Sequence, residues 1–177
     1  MTSKLFEISV DAIPGLARCG LLIDAVLFDL QMEMAQGAAT ALHIDLKTSV
    51  VASREDLESG LMKLKDEGAQ VVIAPSSAMF RAERQRIVSL MAAAGMPAIY
   101  DNKILVDAGG LMAYGVDTVS SFERSADLVV RLLRGTRVGD IPIEQPNPTF
   151  SINLKTAKAL GLTIPPTMLF RADEVIE

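Results

Sequence analysis

GGLMAYGVDTVSSFERSADLVVRLLRG, residues 109–135, reads as a strand, a turn and a helix in succession. Gly109-Gly110 opens the apolar run Leu111-Met112-Ala113-Tyr114, and Gly115 stops it as a buried strand ending in a tight turn would. Asp117 is positioned to cap the helix that follows. Phe122, Ala126, Val129, Val130 and Leu133 then recur on one helical face until Gly135 ends it.

Downstream, Ile141 to Pro148 carries three prolines, which suits an extended connector and neither a helix nor a central strand. Thr149 to Asn153 is a candidate strand. Asn153 caps a helix over Leu154 to Leu160, Gly161 ends it, and Pro165-Pro166 prevents its resumption. Thr167 to Glu177 is expected to add one last helical turn.

Upstream, the same alternation repeats. Leu5 to Leu16 suits a short amphipathic helix ended by Pro14-Gly15. Leu21 to Phe28 is an apolar run broken only by Asp24, expected as a strand with Asp29 at its carboxyl end. A helix over Leu30 to Leu42 and a strand over Ile44 to Ala52 follow. Ser53 with Asp56 forms a capping-box-like start to a helix with Leu57, Leu61 and Leu64 inward and Gly68 as its stop. Val71 to Ala74 and Ala98 to Tyr100 are short buried strands flanking a helix through Arg81 to Ala94, and Asp101-Asn102-Lys103 begins an exit loop. Strands alternating with helices predict right-handed crossovers: a three-layer α/β/α domain on a mostly parallel sheet, with Ile23, Val26, Val71, Ile73 and Ile99 at its buried centre.

GGLMAYG (109–115), IPIEQP (141–146), INLKTAKALGLTIPP (152–166) and the terminal RADEVIE (171–177) resemble the ABC transporter substrate-binding proteins related to tryptophan and tyrosine binders. The resemblance implies a type I periplasmic-binding-protein-like lobe, with most of the N-terminal lobe absent from this chain. Residues 1–108 would be the second lobe, 109–148 a strand, helix and connector resembling the C-terminal part of the first lobe, and 149–177 a return to the second. It further implies a small-molecule ligand held between two lobes, an ABC permease as partner of the full-length protein, and a periplasmic or extracellular location. The chain departs from the family pattern at Asp29-Leu30, at Asp101-Asn102-Lys103 and at Ala113.

Composition narrows the classes. Half of the 177 residues are hydrophobic and 22% charged, enough to fill a core and too apolar for disorder. A net charge of −5 argues against a nucleic-acid surface, which needs a concentrated basic face. No segment is apolar over membrane-spanning length, so no direct membrane insertion is expected. The N-terminus lacks the pattern of an export signal, which points to the cytoplasm if the chain is naturally short. The single cysteine, Cys19, forms no internal disulfide, and the single histidine, His43, has no companion at metal-ligand spacing.

In open parallel α/β sheets ligands bind outside the carboxyl ends of the strands. That rule selects Ser76, Ser77, Tyr100, Asp101 and Tyr114 as ligand-binding candidates, with Asp29 and Ser53 beside them. Ser76 and Ser77 either cap the next helix or donate to a ligand, and the two roles can coexist. Tyr100 and Tyr114 supply an aromatic wall or pack the sheet edge. Asp101 receives an ammonium or forms a turn.

No nucleophile elbow, dinucleotide fingerprint or phosphate loop occurs, and neither a cofactor, a metal nor a catalytic residue is expected. The reading is a non-enzymatic solute-binding component of an ABC-type importer, taking an amino acid or related compound. Its rivals are a truncated, non-transporting oligomerisation or partner-binding module and, behind that, an α/β enzyme. The Phe122 to Leu133 stripe predicts a homodimer, because a lone chain leaves it uncovered.

Overall fold

Short segments of branched and aromatic residues pair into one sheet in a computed structural model describing residues 2–177. In chain order the strands are Arg18–Asp24 (β1), Asp45–Val51 (β2), Val71–Ala74 (β3), Ala98–Tyr100 (β4), Met112–Val116 (β5), Pro148–Asn153 (β6) and Glu174–Ile176 (β7). They lie in the order β2-β1-β3-β4-β5-β6-β7. All neighbours are parallel except β5 and β6, which run antiparallel with Met112 opposite Ile152 and Val116 opposite Pro148.

Alternation along each strand sends side chains to two cores. Leu21, Ile23, Val71, Ile73 and Ile99 face one side, where Thr2–Ala12 (α1) and Phe28–Ala41 (α2) cover them with Leu5, Phe6, Ile8 and Ala35. Leu22, Val72, Ala98 and Tyr100 face the other, covered by Leu57–Asp66 (α3), Arg84–Ala94 (α5) and Lys103–Asp107 (α6). Ala78–Ala82 (α4) is a single turn preceding α5. Leu154–Ala159 (α8) and Pro166–Arg171 (α9) close the end of the chain around Ala157 and Met168. The three-layer α/β/α arrangement on a mostly parallel sheet is the one the sequence predicts.

Several expectations need correction. The first strand stops at Asp24, because that carboxylate accepts the backbone N–H of Val26 at 3.0 Å and turns the chain into a 3-10 turn over Ala25–Leu27. Val26, expected in the sheet centre, is therefore 87% exposed. Gly115 lies inside β5 and does not end it. Asn102 caps α6 through the Ile104 N–H, making a helix where an exit loop was expected. The C-terminal segment adds β7 after its helical turn.

β5 is bonded on both sides within the one sheet, to β4 and to β6. Only the Thr118–Leu133 helix (α7) and the connector behind it stand apart, and α7 contributes no buried residue.

Candidate functional site

At the carboxyl ends of β3, β4 and β5, an open pocket of about 540 Å³ is lined by Ser76, Arg81, Asp101, Asn102, Thr118 and Phe122, among others. Its walls arise from local capping. Pro75 and Ser76 leave β3, and Ser77 caps α4 by accepting the Phe80 N–H at 3.2 Å, which aims Arg81 of that helix back toward the strand end. Arg81 Nη1 then donates to Ser76 Oγ at 2.9 Å.

Asp101 follows β4 directly, and its Oδ2 accepts the Ser76 N–H at 2.6 Å. Burial pushes the Asp101 carboxyl up to about 6, against the downward pull of that N–H and of nearby Arg81. Gly115 makes this geometry possible: a Cβ there would sit 1.7 Å from the Asp101 carbonyl oxygen. Asn102 Nδ2 donates to Thr118 Oγ1 at 3.0 Å and so ties the β4 exit to the start of α7.

Of the residues chosen from sequence, Ser76 and Asp101 meet in this pocket. Ser77 is buried at 2% exposure, and its hydroxyl donates to the buried Asp24 carboxylate in addition to its capping role. Gln31 completes that support, donating to Ser76 O at 3.1 Å and accepting from the Asp24 N–H at 3.3 Å.

Tyr100 points away from the pocket into the core beneath α5 and α6. Tyr114 lies against the opposite core, edge-to-face with Phe150 at 6.4 Å between ring centroids. Asp29 is exposed in the first turn of α2, and the Ser53 hydroxyl donates to Asp56 at 2.9 Å within its capping box. Among the described residues no group of three His, Cys, Asp or Glu side chains is arranged to hold a metal ion.

Sequence reasoning missed Arg81, Asn102, Thr118 and Phe122. The signal for Arg81 was its place in the helical turn after a strand-end Ser-Ser pair. The other three are assembled only when α7 leaves the sheet beside β4.

A guanidinium, a hydroxyl, a carboxylate and an aromatic ring lining one pocket suit a ligand carrying both charges and an apolar group. The class defined by this sheet and its strand-end pocket is that of α/β ligand-binding lobes. The chain belongs to the ABC transporter substrate binding protein family, whose profile matches residues 5–176. No curated protein matches its sequence.

Among solved structures, a conserved domain protein from Vibrio cholerae superposes with a TM-score of 0.84 at 20% identity, over 98% of this chain and 60% of that one. An ABC domain from Streptococcus pneumoniae in complex with L-Trp superposes at 0.83 and 21% identity, over 99% and 60%. The ligand-free, open form of an adhesive substrate binding protein from Clostridium difficile gives 0.71 at 17% identity, over 97% and 58%. The chain thus spans about 60% of the length of these structures.

Proposed function

We propose that the chain serves as a solute-binding component of an ABC-type importer and takes a small zwitterion, an amino acid or related compound, at the strand-end pocket. The observation carrying this reading is the pairing of Ser76, Arg81 and Asp101 around one opening. Arg81 and Ser76 receive the ligand carboxylate, Asp101 its ammonium, and Phe122 its side chain. Family membership and the L-Trp held by the pneumococcal relative support it. Delivery to an ABC permease, and a periplasmic or extracellular setting, belong to the same reading.

Because the pocket is open to solvent, affinity is weak, about millimolar. L-amino acids titrated against the chain shift the amide resonances of Ser76 and Asp101. Arg81→Ala and Asp101→Asn each weaken binding about tenfold, as loss of a charge-assisted bond requires. Silence of both resonances with every amino acid tested refutes the assignment.

The partner we propose for α7 is a second copy of the chain. Val119, Phe122, Val129, Val130 and Leu133 are exposed along one 16-residue helix. Glu123 and Asp127 lie near its middle with Arg124 between them, ion-paired to Asp127 at 3.8 Å, and Arg131 and Arg134 lie near its end. A two-fold crossing of two such helices covers both apolar stripes.

A further inference from the structure

A recess of about 350 Å³ opens between α5, the Gly109–Leu111 turn and α8, and it shares no lining residue with the strand-end pocket. Its walls are apolar: Met91, Met96, Ala98, Leu111 and Leu160, with the Tyr100 ring among them. Burial pushes the Tyr100 hydroxyl up, so that wall stays uncharged at every physiological pH.

The space is built in. Gly110 has no side chain where a Cβ would meet Tyr100 Cε2 at 2.6 Å and the Leu105 carbonyl oxygen at 2.7 Å, so the ring lies against bare backbone. Thr156 Oγ1 donates to the Gly109 carbonyl at 2.7 Å and fixes α8 to the turn, which keeps the two walls from closing on each other. Alanines 92, 98 and 159 contribute small side chains to the lining, where larger ones would fill the void. An open apolar recess of this size leaves its lining against water, and covering that surface with an apolar guest is favourable.

Lys155 is the one charged residue lining the recess, and no carboxylate lies within ion-pair distance of it among the described residues. We propose that this recess is a second binding site, for a small amphiphilic carboxylate whose apolar body fills the cavity and whose anionic head meets Lys155. The apolar lining sets the body, and the free ammonium selects the head over an alcohol or amine.

Octanoate is the probe. The chain has two tyrosines and no tryptophan, so in Tyr114→Phe the emission of Tyr100 alone reports the recess. Octanoate changes that emission saturably. Lys155→Glu, an exposed substitution, weakens binding about fivefold, the size of one exposed ion pair. Octanol binds less tightly than octanoate and is insensitive to Lys155→Glu. Ala159→Phe, which fills the space from its outer wall, abolishes the response, and Arg81→Ala in the strand-end pocket leaves it intact. A non-saturable response, equal binding of octanol and octanoate, indifference to Lys155→Glu, or loss of binding in Arg81→Ala each overturns the proposal.

Discussion

Asp101 carries its charge where burial disfavours one. Its folded value of about 6 stands above the ordinary 3.8, so the folded chain holds this proton more tightly than the unfolded chain does. Stability therefore falls as pH rises from about 3.8 through about 6 and levels off above that interval. Asp101→Asn keeps an acceptor for the Ser76 N–H and removes the charge. Its melting temperature should exceed the parent's above pH 6 and converge with it below pH 4; a gap independent of pH in thermal unfolding refutes this. Ligand binding runs the other way, since the ammonium needs the charged carboxylate, so amino-acid affinity should drop as pH falls through about 6. Beside it, Gly115→Ala drives a methyl into the Asp101 carbonyl and should cost about 1–3 kcal/mol in denaturant unfolding. Ser76 and Asp101 were legible as strand-end residues, Asp101 directly after β4 and Ser76 two residues past β3. The direction of the tyrosines was not legible, because closeness to a strand end does not say which face a side chain takes: Tyr100 and Tyr114 point to opposite cores.

At the scale of elements, caps decide where the chain turns, and two of them differ in what stands behind. Asn153 Oδ1 accepts the Thr156 N–H at 3.1 Å, so Asn153→Ala should cost about 1 kcal/mol. Ser77→Ala loses a comparable cap and also strips the buried Asp24 carboxylate of its hydroxyl donor, so it should cost about 2–4 kcal/mol. Equal losses in urea titrations would mean that Asp24 does not depend on Ser77. Caps also explain what was readable beforehand. The Ser53–Asp56 box and the Asp117 and Asn153 caps announce themselves locally, and each is observed. Asp24 looked like an interruption because its apolar neighbours continued past it; only its bond to the Val26 N–H shows that the strand has ended. β7 has three residues and gains its definition from pairing with β6, a partner remote from any local pattern.

For the whole molecule, the sheet and its two cores form without help from α7. Association through that helix should appear in light scattering as a concentration-dependent dimer, and Val129→Asp should return it to monomer by burying an uncompensated charge. A parent that stays monomeric at high concentration rules the dimer out. The antiparallel register has another consequence. Val116 and Pro148 face each other across neighbouring strands, so everything from 117 to 147 departs from and returns to a single point on the sheet. In modular terms the segment is a cassette inserted into a hairpin. Replacing residues 117–147 by a two-residue Asn-Gly turn should leave a shortened chain that melts cooperatively with its strand content intact, and the cassette itself becomes a position for exchange among relatives without recutting the core.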